Sequence, residues 1–170
     1  NVKNIVFSSS ATVYGDPKYL PIDENHPLST TNPYGTTKLF IEQILEDVYK
    51  ADNDMNIVIL RYFNPVGSDK MHLLGENPNG IPNNLVPYIV KVATKKLESL
   101  NVFGNDYDTV DGSGVRDYIH VIDLAIGHVK AIEYMKNNKG ILKVNLGTGK
   151  GNSVLELIEK FERVNKVKIS

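Results

Sequence analysis

Ile5-Val6-Phe7-Ser8-Ser9-Ser10-Ala11-Thr12-Val13-Tyr14-Gly15 and, further along, Asn32-Pro33-Tyr34-Gly35-Thr36-Thr37-Lys38 are the stretches on which the reading of this chain turns. Ile5 to Phe7 is short, apolar and β-favouring, so it reads as a buried strand. Ser8-Ser9-Ser10 then lie at its C-terminal end, the edge where open α/β sheets bind ligands. Asp16-Pro17 and the segment from Pro21 to Pro33 are rich in turn formers and read as a loop. A helix is predicted from about Pro33 to Lys50. Asn32 suits its N-cap, and Pro33 suits its first position because the missing N–H has no partner there anyway. Ile41, Ile44, Leu45 and Val48 recur at i, i+3, i+4 and i+7 and form an apolar stripe. Leu39, Phe40 and Tyr49 lie outside that stripe, as in a helix covered once by its sheet and once by another chain. Asn56 to Phe63 is the next strand. Strand, helix, strand in this order predicts a right-handed parallel crossover.

The rest of the chain follows from this unit. Residues from about Pro65 to Tyr118 are rich in Gly, Pro and Asn, with one helix near Leu85 to Leu100, and should leave the sheet. A helix at about Val121 to Lys136 and a strand at Leu142 to Leu146 should return to it. Ser153 and Glu156 form a capping-box pattern that opens a last helix. The expected class is α/β: part of a doubly wound parallel, Rossmann-type sheet with part of a smaller substrate-binding domain. Its boundaries fall at residues 1–66 and 119–150 for the sheet domain and at 67–118 and 151–170 for the smaller one. The chain opens Asn1-Val2-Lys3-Asn4 directly into a strand, and it is read as a fragment that starts inside a fold.

Composition narrows the function. The 170 residues are 41% hydrophobic and 23% charged, which suits a packed core. The net charge of -1 gives no reason to expect nucleic acid or an acidic membrane as partner. With no cysteine, disulfide scaffolds, thiolate zinc sites and cysteine nucleophiles are excluded, and a reducing cytoplasm is compatible. Apolar runs such as Ile57-Val58-Ile59-Leu60 are far shorter than a membrane span.

Tyr34 and Lys38 are four residues apart and share a helix face. A phenol with a pKa of about 10 is a poor base at neutral pH. A neighbouring ammonium favours the phenolate, and a base tuned in this way can take a proton from a sugar hydroxyl. The spacing alone is common; its context at a strand's ligand-binding edge is what gives it weight.

Three further blocks follow these two in order: Arg61-Tyr62-Phe63-Asn64-Pro65-Val66-Gly67, Gly80-Ile81-Pro82-Asn83-Asn84-Leu85-Val86-Pro87-Tyr88 and Gly114-Val115-Arg116-Asp117-Tyr118-Ile119-His120-Val121. Together the five resemble the extended short-chain dehydrogenase/reductase family and, within it, the UDP-glucose 4-epimerases, along essentially the whole chain. The resemblance implies bound NAD acting catalytically, a UDP-sugar substrate, a 4-keto intermediate, no metal, and a homodimer formed through helices that include Pro33 to Lys50. It makes Tyr34 the base, Lys38 its tuner and a holder of the nicotinamide ribose, and Ser10 the hydroxyl bonded to the reacting sugar oxygen. Ser8 and Ser9 match strand-end residues beside the cofactor, Thr12 a secondary sugar contact, and Tyr62 and Phe63 a strand end beside the nicotinamide. Asn64, Asn84 and Leu85 match positions lining the UDP-sugar site, Phe103 one beside the uracil, and Arg116 one on the diphosphate. A guanidinium fork suits phosphate oxygens on its own chemistry. Taken singly, Leu85 and Phe103 fit core packing equally well.

Other readings carry less. His120 and Asp123 with one of the serines would make a hydrolase triad, but no G-x-S-x-G elbow occurs and Asp123 suits a first-turn helix acid. His26, His72, His120 and His128 lack metal-ligand spacing and read as surface or packing residues. Gly147-Thr148-Gly149-Lys150-Gly151 is one residue short of a dinucleotide fingerprint and reads as a turn. The family's own fingerprint belongs to a first strand that this chain does not contain, so little activity is expected of the 170 residues alone. Ser68 to Leu74 lacks the His-Pro-Ser-Gly common in epimerases. Dehydratases or decarboxylases on the same scaffold, or a binding protein without turnover, are the alternatives. Against the first stands Ala11-Thr12, where dehydratases carry Asp-Glu.

Overall fold

The run Ile57-Val58-Ile59-Leu60 is apolar at odd and even positions alike, so its strand needs cover on both faces. The computed structural model describes residues 2–71 and 73–170; His72 and Asn1, both named above, lie outside the described residues. In chain order the elements are β1 (Asn4–Ser10), a 3-10 turn (Ala11–Tyr14), α1 (Pro33–Ala51), β2 (Asn56–Tyr62), β3 (Asn64–Val66), α2 (Leu85–Ala93), β4 (Val115–His120), α3 (Val121–Asn137), β5 (Gly140–Leu146), β6 (Gly151–Ser153) and α4 (Val154–Asn165).

β1, β2 and β5 form a parallel sheet with β2 at its centre. Its two faces carry separate cores. Ile57 and Ile59 pack with Met55, Ile5, Phe7, Leu45 and Tyr49 beneath α1. Val58 and Leu60 pack with Ala131 and Met135 of α3 and with Val6, Leu142 and Val144. Helices on both faces make the fold doubly wound α/β, as expected. Each fully buried Ile or Leu here contributes about 1.5–3 kcal/mol.

The stripe on α1 needs correction. Leu45 and Tyr49 reach the sheet, whereas Ile41, Ile44 and Val48 point outward with Phe40. Two polar residues, Lys38 and Glu42, continue the inward face, so of the four stripe residues only Leu45 lies on the sheet. A second sheet, β3-β4-β6, was not foreseen; β3 and β4 run parallel, β4 and β6 antiparallel. Two of its strands have only three residues, too short for a periodic signal. α2 stops at Ala93 rather than near Leu100. Lys95 takes a left-handed conformation there, and the Lys96 and Leu97 amides both donate to Lys91 O. Helix ends of this kind usually carry glycine, and a lysine leaves no mark in the sequence.

The caps hold as expected. Asn32 Oδ1 accepts from the Gly35 amide at 2.8 Å. Both arms of the Ser153–Glu156 capping box are present. Among the described residues no helix is long and apolar enough to cross a membrane.

Candidate active site

The first two turns of α1 deliver Tyr34 and Lys38 to the C-terminal end of β1. Gly35 makes that approach possible: a Cβ there would lie 2.8 Å from Thr12 O, so the helix packs directly on the 3-10 turn. Lys38 Nζ donates to Ser8 O at 2.8 Å and lies 5.6 Å from the centre of the Tyr34 ring. Tyr34 is 51% exposed, with its ring open to a ligand. The ammonium thus rests against the strand end as well as beside the phenol.

Ser10 begins the 3-10 turn and caps it. Its Oγ accepts from Thr12 N at 3.2 Å and from Thr12 Oγ1 at 3.0 Å. With both lone pairs engaged, the Ser10 hydroxyl hydrogen is left to donate elsewhere. Ser8 Oγ bonds His128 Nε2 at 2.7 Å, and His128 Nδ1 lies 2.9 Å from Leu124 O, so Nδ1 carries the proton and Nε2 accepts from Ser8. Tyr62 sits beside this group, 6.3 Å from the His128 ring. Burial pushes the Tyr62 phenol above its ordinary value, the nearby Tyr34 adds to that, and a hydrogen bond with Ser8 opposes it. Tyr62 therefore stays a neutral phenol near pH 7.

Ser8, Ser10, Thr12, Tyr34, Lys38 and Tyr62 come together at one sheet edge. Ser9 stands in the same strand, but its hydroxyl is buried and donates to Glu42 Oε1 at 2.5 Å. Phe63 continues β2 at the same edge: its amide donates to Leu146 O at 3.1 Å, and its ring lies against Gly147, where a Cβ would meet Phe63 Cδ2 at 2.9 Å. The remaining residues belong to the second sheet and its loops. Asn64 pairs with Tyr118 across β3 and β4. Asn84 donates to Glu76 Oε1 at 2.6 Å, and Leu85 opens α2, half-buried. Phe103 is 85% exposed. Arg116 is exposed too, and its Nη1 bonds only the Val115 carbonyl among its described partners, at 2.8 Å.

The rival motifs resolve into structural parts. His120 Nδ1 accepts from the Ile122 amide at 3.2 Å and so caps α3, and Asp123 lies in the first turn of that helix. The glycine run wraps the Asp117 carboxylate, which accepts from the Thr148 amide, the Thr148 hydroxyl and the Gly149 amide at 2.7–3.0 Å. A Cβ on Gly147 would lie 2.6 Å from Asp117 Oδ2, so the glycine there is required by contact. It is a turn, but it leads into β6 before α4.

Sequence reasoning missed the polar network beneath the site. Glu42 and Arg61 are each 1% exposed and pair through several bonds, the shortest 2.6 Å. Arg61 Nη1 donates to Tyr14 Oη at 3.0 Å, and Tyr14 Oη donates to Asn145 Oδ1 at 2.6 Å. Burial opposes the charge on Arg61, but bonds to Glu42 and Tyr14 outweigh it and hold the guanidinium above its ordinary value. Glu42 falls four residues after Lys38, a signal available in the sequence once the inward face is known.

The model described as the NAD dependent epimerase/dehydratase family matches residues 1–147. UDP-glucose 4-epimerase of Bacillus subtilis is 62% identical over 164 residues, 96% of this chain and 48% of that protein. The human UDP-glucose 4-epimerase is 57% identical over 169 residues, 99% of this chain and 49% of its own length. The crystal structure of UDP-glucose 4-epimerase from Bifidobacterium longum in complex with NAD+ and UDP superposes with a TM-score of 0.94 at 59% identity, covering 99% of this chain and 50% of that one. The chain spans about half the length of the curated relatives it matches. With its doubly wound sheet and its Tyr34–Lys38 edge, the chain belongs to the NAD dependent epimerase/dehydratase family.

Proposed function

We propose that the full-length protein is a UDP-glucose 4-epimerase that interconverts UDP-glucose and UDP-galactose with NAD held in its site. The observation that carries this reading is the edge itself. A phenol and an ammonium one helical turn apart meet the end of β1 beside a serine whose hydroxyl hydrogen is free to donate. The identity to UDP-glucose 4-epimerases supports the choice of substrate.

The donor set at this edge fits the nicotinamide end of NAD. Lys38 bonds Ser8 O with one ammonium hydrogen, which leaves two for the hydroxyls of a ribose. Lys38, Tyr34, Tyr62, Phe63 and the strand end at Ser8 would hold that end, while Ser9, buried against Glu42, supports the strand beneath it. NAD, when bound, supplies reversible acceptance of the sugar C4 hydride. Tyr34 Oη takes the proton of the sugar 4-hydroxyl as C4 is oxidised to the 4-keto sugar, and returns it when C4 is reduced on the other face. Ser10 donates to the reacting oxygen, with Thr12 orienting it. Arg116 clamps the diphosphate, and Asn64, Asn84, Leu85 and Phe103 line the sugar and uracil. Residues 1–66 and 119–150 belong to the cofactor domain, and 67–118 and 151–170 to the substrate domain. The protein works in galactose metabolism in the cytoplasm, as a homodimer whose contact includes the outward face of α1.

A coupled assay tests this reading. Full-length protein is given UDP-galactose, and UDP-glucose is read through a UDP-glucose dehydrogenase. Conversion in both directions is expected. A folded protein that binds UDP but yields no epimer, or a product that has lost water or carbon dioxide, would overturn it.

A further inference from the structure

We propose that the buried pair Glu42–Arg61 positions Tyr34 for proton transfer, a role that rests on the reading of Tyr34 as the base. Tyr34, Lys38 and Glu42 stand at i, i+4 and i+8, on one face of α1. The first is open to ligand, the second touches the end of β1, and the third is locked beneath the site. Glu42 accepts from Ser9 Oγ on β1 and from the Arg61 fork on β2. Arg61 reaches on to Tyr14, the last residue of the 3-10 turn that Ser10 caps, and Tyr14 reaches Asn145 on β5. One carboxylate thus ties α1, the turn bearing Ser10 and Thr12, and all three strands of the parallel sheet into one frame. No buried side-chain polar atom is left without a partner among the described residues, so the frame has no slack donor to accommodate a shift.

A bidentate carboxylate–guanidinium pair constrains rotation as well as distance, because two parallel bonds must align. The Tyr34 hydroxyl lies roughly 9 Å from the helix axis, so a turn of α1 by about 6° moves it ~1 Å. A displacement of ~1 Å at a reacting group can lower turnover about 100-fold. An apolar pair of similar volume would keep the core filled but impose no such alignment.

The test uses full-length protein and the double variant Glu42→Leu/Arg61→Met, because single changes leave a buried charge unpaired and endanger folding. The double variant is expected to melt within a few degrees of wild type, with kcat for UDP-galactose lowered ~30-fold or more and KM changed less than about threefold. In its crystal structure the Lys38 Nζ–Ser8 O contact, 2.8 Å here, should open past hydrogen-bond range. Turnover within twofold of wild type, or an unchanged Lys38–Ser8 contact, would overturn the proposal. So would a double variant that cannot fold, since the pair would then be a folding determinant. Should the wild type itself not turn over UDP-galactose, the functional reading fails separately, and the Lys38–Ser8 contact still decides the positioning role.

Discussion

Gly35→Ala is the sharpest probe of how the helix meets the strand edge. The added Cβ would sit 2.8 Å from Thr12 O, 3.3 Å from Thr12 C and 3.4 Å from Thr12 Cβ. The first two are backbone atoms, so no side chain can swing away. Restoring ordinary contact requires α1 and the 3-10 turn to part by about half an ångström, and overpacking of this kind costs roughly 1–3 kcal/mol. The Tm of the full-length protein should therefore fall by a few degrees. The activity loss should be larger than that loss of stability implies, because the same displacement separates Tyr34 from Ser10 and Thr12. If ~1 Å is worth about 100-fold in rate, half of it is worth about 10-fold. Full-length variant and wild type would be compared at a temperature where both are folded, by circular dichroism for Tm and by the coupled assay for kcat. A variant with unchanged Tm and kcat within twofold would show that the helix does not rest on Thr12 as described. A tenfold loss of kcat traced to partial unfolding would equally refute the positional argument.

Hydrogen bonds from Ser113 and then Ser153 hold the Asp111 carboxyl below the usual carboxylate range. That stabilisation is present above about pH 4, the ordinary carboxyl value, and is lost as pH falls through the depressed one. Asp111→Asn should melt below wild type at pH 7 and the gap should narrow steadily as pH falls below about 4; a gap that stays constant or widens in acid would contradict the assignment. Phe40 is 63% and Ile44 58% exposed on the outward face of α1, and burial in a dimer would account for both. For the homodimer proposed above, Phe40→Glu in the full-length protein should shift the mass measured by light scattering from dimer toward monomer without loss of helix content, and an unchanged mass would remove α1 from the contact.

Much of this architecture can be read from particular residues. Ile57 to Leu60 announces a strand buried on both faces, and Asn32-Pro33 and Ser153–Glu156 mark helix starts by chemistry that survives in the fold. What stayed hidden depends on long-range partners. Glu42 looks like a surface acid until Arg61, Ser9 and Tyr14 are brought around it. Asp117 looks like part of a motif until the Thr148 and Gly149 amides close on its carboxylate. β3 and β6 exist only because β4 lies between them. The Tyr34–Lys38 pair is legible as a spacing, but its seat against Ser8 O and on the Thr12 turn beneath Gly35 depends on contacts made only in the fold.

Turnover by the full-length Tyr34→Phe variant decides whether Tyr34 is the base. Tyr34 is 51% exposed and its hydroxyl has no described protein partner that folding would lose. The variant should keep the Tm and UDP affinity of wild type while epimerisation of UDP-galactose falls by at least about 100-fold, the lower end of the range for losing a general base. Turnover undiminished in a folded Tyr34→Phe protein would show that Tyr34 is not the base.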